Sequence, residues 1–195
     1  MSNIWFTSDT HFFHRNICGP SISDWKSGYR NFNSLEEMNN CILEALNIAK
    51  EEDTIYHLGD WSFGGEKNVK QFRDLIRCKD IRITLGNHDK FLPKYSNLFT
   101  WVKPIHEGKI AGYYMVLHHY AQKIWNYSHH GSIMLYGHSH GTLPDDPNSK
   151  SMDVGFDTCL YNHKKYTMYH IDEILKIMAQ KKNTPLDHHN EETSK

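Results

Sequence analysis

The sequence predicts an α/β fold whose sheets mix parallel and antiparallel strands. Up to Leu85, short apolar runs alternate with segments whose apolar residues recur at helical spacing, and after Leu85 strand-like runs dominate. At 195 residues, the chain is long enough to bury a sizeable core in one domain. We therefore expect a single domain over residues 1–180 and a polar, disordered tail over residues 181–195.

The elements can be justified in chain order. Residues 3–8 form an apolar strand, and residues 12–33 form a long loop rich in aromatic residues, Gly, Ser and Asn. A capping box of Ser34 and Glu37 starts the first helix. The later strands are predicted at 53–58, 81–85, 113–117, 133–136 and 166–169, and the later helices at about 69–76 and 171–178.

The composition argues against binding to nucleic acid, against membrane association and against a disulfide-rich fold. A formal net charge of −1 gives no general attraction to nucleic acid or to anionic membranes. The four cysteines are far apart and contain no C-x-x-C pair, which favours reduced thiols and a cytoplasmic protein. Neither a signal peptide nor an apolar run of about 18 residues is recognised, so no membrane partner is expected.

Polar clusters of Asp, Asn and His end five of the predicted strands. They read Ser8-Asp9-Thr10-His11, Gly59-Asp60, Gly86-Asn87-His88-Asp89, His118-His119-Tyr120 and Gly137-His138-Ser139-His140-Gly141. In open α/β sheets, ligands bind beyond the carboxyl ends of the strands. The clusters, which hold many of the 15 histidines, are therefore expected to converge on one site.

The residue types in these clusters predict a metal centre. Asp9 and His11 are two positions apart, as are His138 and His140, so in an extended segment each pair points to one side. With Asp60, Asn87 and either His118 or His119, they offer seven oxygen or nitrogen ligands. A single catalytic metal keeps about three protein ligands, so seven ligands are too many for one ion. Seven ligands suit two metal ions about 3.5–4 Å apart that share one carboxylate. The ligand set suits Mn²⁺, Fe or Zn²⁺ without choosing among them.

These motifs, in this order from about residue 3 to residue 155, resemble the calcineurin-like metallophosphoesterase superfamily. The stretch SDTHFFH from Ser8 is similar to the small bacterial and phage members. The resemblance implies two packed mixed β-sheets flanked by helices, in a four-layer α/β/β/α sandwich.

The resemblance also implies roles for single residues. The first metal would be held by Asp9, His11 and His140, the second by Asn87, His119 and His138, and both by the bridging Asp60. His88 would face the substrate, and Asp89 would orient His88.

The activity implied is hydrolysis of a phosphodiester or phosphomonoester, with a small, nucleotide-like substrate as the partner. Two divalent ions, Mn²⁺ first with Fe, Zn or Ni as alternatives, would share a water and lower its pKa. The resulting hydroxide would attack phosphorus in line, and His88 would assist the leaving oxygen. A metal-dependent nuclease is the alternative, although the charge argues against extended nucleic acid. A non-catalytic binding module of the same fold is a further alternative.

Some assignments stay open in the sequence. His119, which precedes Tyr120, fits the ligand pattern better than His118. His14, Arg15 and Arg30 are candidates for binding the phosphate or leaving group, but His14 and Arg15 fit a solvated loop equally well. Arg30 fits an ion pair equally well. Trp61 and Phe63 are candidates either for stacking on a substrate base or for the core.

Overall fold

The computed structural model describes residues 2–19, 22–23 and 28–187. A five-stranded sheet has the strand order β4-β3-β2-β1-β9, and a four-stranded sheet has the order β5-β6-β7-β8. The first sheet comprises β1 (Ile4–Thr7), β2 (Thr54–His57), β3 (Asp80–Thr84), β4 (Trp101–Lys103) and β9 (Tyr169–His170). The second comprises β5 (Ile105–Ile110), β6 (Tyr113–His118), β7 (Ile133–Tyr136) and β8 (Ser151–Asp153).

Both sheets are mixed, as the sequence predicts. Strands β1 to β4 pair in parallel, and β9 runs antiparallel to β1. In the second sheet β5 is antiparallel to β6, whereas β6, β7 and β8 are parallel. The carboxyl ends of β1, β2 and β3 therefore lie along one edge, as do those of β6 and β7.

Alternating side chains divide the core into layers. On β2, Ile55 belongs to the cluster shared with helices α1 (Leu35–Leu46) and α2 (Glu66–Asp74), whereas Tyr56 belongs to the cluster between the sheets. On β6, Leu117 faces the first sheet, and Val116 packs with Trp125 on the other side. The helices α3 (Phe156–His163) and α4 (Ile171–Gln180) follow the second sheet and also pack against the core. The predicted pair of packed mixed sheets flanked by helices is confirmed.

Among the described strands and α-helices, four have no counterpart in the sequence predictions: β4, β5, β8 and α3. Strands β4 and β8 have three residues each, and the β5 sequence IHEGKI lacks a regular apolar alternation. Helix α3 begins after Gly155, which has no side chain that can cap it. The late strand expected at 166–169 is observed at Tyr169–His170, so the two ranges share only Tyr169. The Ser34 hydroxyl accepts the Glu37 N–H at 3.0 Å as expected, but the Glu37 carboxylate accepts the Asn33 N–H instead of closing the box.

The first residues of the expected tail lie against the fold. Lys181 is buried, and its ammonium group donates to the Ser151 carbonyl at 2.5 Å and to Asp145. The Lys182 N–H donates to the Pro147 carbonyl at 2.8 Å. Residues 188–195 lie outside the described part of the chain. Among the helices of the described residues, none has the length and apolar character needed to cross a bilayer.

Candidate metal centre

Two groups of side chains meet at the edge where β1, β2, β6 and β7 end. The first cluster is Asp9, His11 and His140, and the second cluster is Asp60, His119 and His138. Within each cluster the potential ligand atoms lie within 4.8 Å of one another. In the first cluster, Asp9 Oδ1 is 3.9 Å from Nε2 of both His11 and His140.

Asp60 lies between the two clusters. Its Oδ2 atom is 3.5 Å from His11 Nε2 in the first cluster and 3.5 Å from His119 Nε2 in the second. Asn87 joins the second cluster, because its Oδ1 atom is 3.1 Å from His119 Nε2. The structure thus brings together all seven side chains that the sequence singles out as ligands.

The local backbone at these side chains is not extended, contrary to the sequence-based argument. Strands β1 and β7 end at Thr7 and Tyr136, before the ligand pairs begin. Five of the seven residues have a positive φ angle: Asp9 57°, His11 49°, Asp60 58°, His138 65° and His140 48°. A left-handed conformation costs a non-glycine residue about 1–2 kcal/mol, and such conformations concentrate at functional sites. Tight turns, rather than the alternation of a strand, therefore direct these side chains to one place.

Glycines let the turns approach the carboxylates closely. A Cβ atom at Gly137 would lie 2.4 Å from Asp9 Oδ2, and one at Gly86 would lie 2.2 Å from Asp60 Oδ1. The backbone N–H of His138 donates to Asp9 Oδ2 at 2.9 Å, and that of His88 donates to Asp60 Oδ1 at 2.9 Å. One oxygen of each carboxylate is therefore held by the backbone, and the other faces the clusters.

Two buried ligand atoms of the first cluster have no hydrogen-bond partner among the described residues. They are Asp9 Oδ1 and His11 Nε2, which face each other across 3.9 Å. Burial raises the pKa of Asp9 to about 6 and lowers the pKa of His11 well below its usual value. Buried polar atoms without partners are rare and costly. A divalent cation between a carboxylate oxygen and an imidazole nitrogen would satisfy both atoms, so these residues fit a metal ion.

Hydrogen bonds at Nδ1 fix the orientation of two histidine rings. His119 Nδ1 donates to the Leu58 carbonyl at 2.8 Å, so Nε2 is the nitrogen that faces Asp60 and is available to a metal ion. His140 Nδ1 lies 2.7 Å from Asp157 Oδ2, so its Nε2 faces Asp9. Such contacts orient metal-binding histidines and raise their basicity.

The electrostatics of His119 also suit a cation. Burial alone would lower the pKa of His119, but the carboxylates of Asp60 and Asp9 outweigh it and raise this pKa to about 9. The site therefore favours a positive charge next to Asp60. A metal ion would take the place of that proton.

The structure separates the two adjacent histidines at the end of β6. His119 is fully buried in the second cluster. His118 bends back to its own loop, with Nδ1 2.9 Å from the Tyr120 carbonyl. His119 is thus the histidine with ligand geometry.

His88 and Asp89 have different environments. His88 is exposed beside the first cluster, with its ring centroid 5.4 Å from that of His11. Asp89 is buried, and its carboxylate accepts the backbone N–H groups of Gly86, Asp60 and Trp61 at 2.8, 2.8 and 2.9 Å. The carboxylate of Asp89 holds two ligand-bearing turns together, instead of orienting the His88 ring as the sequence analysis expected.

Arg30 lies beneath the site and not in its opening, so the structure corrects its candidacy as a substrate contact. It is 1% exposed, and its guanidinium forms a two-pronged ion pair with Asp157 at 2.8 Å. The same guanidinium donates to the carbonyls of Thr10 at 2.8 Å and Asp9 at 2.5 Å. The ion pair that the sequence analysis left open is the one observed. Asp157 went unnoticed in the sequence because α3 was not predicted.

The remaining candidates divide between the site's edge and the core. His14 stacks on Phe63 with ring centroids 3.8 Å apart, and Arg15 is exposed on the following 3-10 turn. Phe63 is half-buried beside His88. Trp61 is 1% exposed and packs against Phe72 in the core. Of the two aromatic residues, only Phe63 is placed to meet a ligand.

Two known proteins resemble this chain over 93% and 80% of its length. An uncharacterised protein of Methanocaldococcus jannaschii is 29% identical over 190 residues, which cover 93% of this chain and 94% of that protein. The Gene 66 protein of Mycobacterium phage D29 is 27% identical over 186 residues, with 80% of this chain and 89% of the phage protein covered.

Solved structures share the fold. A protein of unknown function from Aquifex aeolicus superposes with a TM-score of 0.65 at 21% identity, over 91% of this chain and all 100% of the other. An archaeal phosphodiesterase superposes with a TM-score of 0.50 at 18% identity, over 87% of this chain and 99% of the other. The profile of the calcineurin-like phosphoesterases matches residues 2–191. The chain therefore belongs to the calcineurin-like phosphoesterase family.

Proposed function

We propose that the protein is a two-metal phosphoesterase that hydrolyses a small phosphodiester or phosphomonoester. The observation that carries this proposal is the position of Asp60 Oδ2, which lies 3.5 Å from a histidine nitrogen of each cluster. A carboxylate shared between two ligand groups is the arrangement that a pair of divalent ions requires.

The residues that would hold the ions are those of the two clusters together with Asn87. The first ion would bind Asp9, His11 and His140, the second would bind Asn87, His119 and His138, and Asp60 would contact both. When bound, two divalent ions generate a nucleophile from water near neutral pH and offset charge on the phosphoryl oxygens. The oxygen and imidazole donors suit Mn²⁺, which is the ion we would test first, and also Fe, Zn²⁺ and Ni²⁺.

The chain's own contribution to the chemistry comes from His88. Its backbone N–H is anchored to Asp60 Oδ1 at 2.9 Å, so the residue keeps a fixed position relative to the bridging carboxylate. Its ring is exposed and lies beside that of His11, within reach of a phosphoryl group held at the clusters. We assign it the role of donating a proton to the leaving oxygen, a contribution worth about 10²- to 10⁴-fold in rate.

Hydrolysis by metal-stripped protein reloaded with Mn²⁺ tests the proposal. Bis-p-nitrophenyl phosphate and p-nitrophenyl phosphate are compared side by side, with and without chelator. We expect cleavage that chelator abolishes, and the preferred ester separates phosphodiesterase from phosphatase. The His88→Ala variant should keep two ions per chain, because His88 belongs to neither cluster. Its loss of rate should reach about 10²- to 10⁴-fold for an ester with an alkoxide leaving group and should be smaller for the p-nitrophenyl esters, whose leaving group departs without a proton.

A negative result would be equally clear. If neither ester is cleaved with Mn²⁺, Ni²⁺, Zn²⁺ or Fe²⁺, and fewer than two ions bind per chain, the non-catalytic binding module becomes the leading hypothesis.

A further inference from the structure

A cavity of about 230 Å³ opens beside the candidate metal centre. His88 lines this cavity, and its ring centroid is also 5.4 Å from that of His11 in the first cluster. His88 therefore stands between the clusters and the cavity. A substituent of a phosphate held at the clusters can reach the cavity by extending past His88.

The cavity walls come from the segments that follow β2 and β3. They supply the aromatic rings of Phe63 and Phe91 and the aliphatic side chains of Val69 and Leu92. Phe91 is 41% exposed, although an isolated phenyl ring is favoured inside a core. Gly65 carries no side chain, and a Cβ atom there would meet nothing within 4 Å. The wall thus presents accessible aromatic surface next to open space.

Positive charge lies at the same cavity. Lys90 is exposed and lines it. Lys94, whose Nζ is 5.5 Å from the Phe91 ring centroid, is paired with Glu66 at 3.1 Å, so Lys90 supplies the unpaired charge among the lining residues that the structure describes. Flat aromatic surface combined with a lysine suits a molecule that joins a planar ring to an anionic phosphate. A purely aliphatic phosphoester would leave the exposed Phe91 ring without an aromatic contact.

We propose that this cavity binds the nucleobase of a nucleoside phosphoester, with Phe63 and Phe91 as the aromatic contacts. The inference rests on the proposed function, because it places the phosphate at the clusters and the base beyond His88. Phe63 is a specificity-determining residue in this scheme, and His14, stacked on its ring at 3.8 Å, supports it.

Competitive inhibition by two ligands that differ only in the base tests this inference. Adenosine 5′-monophosphate and ribose 5-phosphate are compared as inhibitors of bis-p-nitrophenyl phosphate hydrolysis by the Mn²⁺-loaded protein. We expect the nucleotide to bind at least about fivefold more tightly, since stacking of one base on an aromatic side chain is worth about that factor or more. The Phe63→Leu variant should reduce this ratio to within about twofold.

Two further variants keep the test decisive. Phe91→Leu should also reduce the ratio and, because Phe91 is an exposed side chain, serves if Phe63→Leu does not fold. Tyr113→Leu removes an aromatic side chain that is 52% exposed at the start of β6, outside this cavity, and should leave the ratio unchanged.

The possible failures are distinguishable. Equal inhibition by both ligands in an active enzyme overturns the cavity inference and leaves the phosphoesterase proposal standing. A ratio that survives both phenylalanine variants also overturns it, because the base then binds elsewhere. A protein that holds two ions per chain but cleaves no ester overturns both proposals together.

Discussion

Arg30 and Asp157 form a two-pronged ion pair beneath the first cluster, with Nε donating to Oδ1 and Nη2 donating to Oδ2, both at 2.8 Å. Both side chains are buried, with 1% and 2% of their surfaces exposed. Asp157 also contacts the ring of His140, and Arg30 donates to the Asp9 carbonyl. One ion pair therefore supports the ring of His140 and the backbone of Asp9, which are two of the three residues in the first cluster.

Replacing Arg30 with lysine should lower the free energy of unfolding by about 3 kcal/mol. A lysine has one ammonium group in place of the planar fork, so it cannot make the paired bonds to Asp157 and also reach the Thr10 and Asp9 carbonyls. Although lysine keeps the positive charge, each buried acceptor that loses its donor costs about 1–3 kcal/mol. Urea unfolding of the metal-stripped protein measures the loss.

The chain offers a matched control for this variant. Arg82 forms the same two-pronged pair with Asp80, at 2.9 Å for both bonds, but the two side chains are about 30% exposed. Arg82→Lys should therefore cost less than about 1 kcal/mol. Equal losses in the two variants would contradict a special role for the buried pair.

The Asp157→Asn variant should weaken the first ion selectively. An asparagine amide can either donate to His140 Nδ1 or accept from it, so it does not keep the proton on Nδ1. The unprotonated Nε2 is then no longer held facing Asp9. Loss of such an orienting carboxylate lowers metal affinity by about 10- to 100-fold. Titration of the metal-stripped protein with Mn²⁺, at a temperature where circular dichroism shows a folded variant, should reveal one weakened ion and one unchanged ion.

Asp172→Asn is the control for Asp157→Asn. Asp172 Oδ2 is 3.5 Å from His170 Nδ1, but the side chain of Asp172 is 85% exposed and far along the chain from the clusters. This variant should bind both ions as the parent does. Two unchanged affinities in Asp157→Asn would show that His140 needs no carboxylate to hold its orientation.

Removal of His119 and removal of its neighbour His118 should have opposite consequences. His119→Ala deletes the nitrogen that faces Asp60 and Asn87, so the second ion should be lost. His118→Ala deletes only a contact with Tyr120, so both ions should remain. Metal content per chain after gel filtration, together with thermal melting in the presence and absence of chelator, distinguishes them. Loss of an ion from His118→Ala alone would reverse the assignment.

Sequence reasoning could locate the site because parallel strands bring their carboxyl ends to one edge. The pairing of β1 with β2 and of β2 with β3 places the turns at Asp9, Asp60 and Asn87 side by side. A polar residue at the end of an apolar run can be recognised from the sequence alone. Convergence of several such residues follows from the fold class alone.

The conformation of the turns and the support beneath them could not be predicted in the same way. Positive φ angles at Asp9 and His138 are imposed by tertiary contacts, such as the 2.9 Å bond that links the two residues. Arg30 and Asp157 are separated by 127 positions, and nothing in the local pattern of either indicates its partner. Local propensity therefore predicts where the ligands are, but not how they are held.

A further prediction concerns acid stability and Asp53, which joins the starts of β1 and β2. Its carboxylate accepts the backbone N–H of Asn3 at 2.7 Å, that of Lys50 at 3.0 Å and the indole N–H of Trp5 at 3.2 Å. Burial alone would raise the pKa of Asp53, but these donors outweigh it and lower the pKa from 3.8 to about 2.

The pH dependence follows from the sign of that shift. Since the folded-state pKa is below the unfolded-state value, the unfolded chain binds the proton more readily, and stability rises with pH across this window. The contribution of Asp53 is therefore present above pH 3.8 and is lost as the pH falls through about 2. Asp53→Asn should lower the free energy of unfolding at pH 7 by about 1–3 kcal/mol. The difference from the parent should shrink steadily between pH 4 and pH 2.

We would measure this difference by urea unfolding of the metal-stripped parent and variant at pH 7, 4, 3 and 2. Both proteins contain the same ligand carboxylates, so the effect of those carboxylates on stability cancels in the difference. Asp74→Asn is the control, since Asp74 is paired with Lys70 at the surface with about half of each side chain exposed. The free energy of unfolding of Asp74→Asn should differ little from that of the parent at every pH. If the loss in Asp53→Asn is as large at pH 2 as at pH 7, the charge of Asp53 is not what stabilises the junction of β1 and β2.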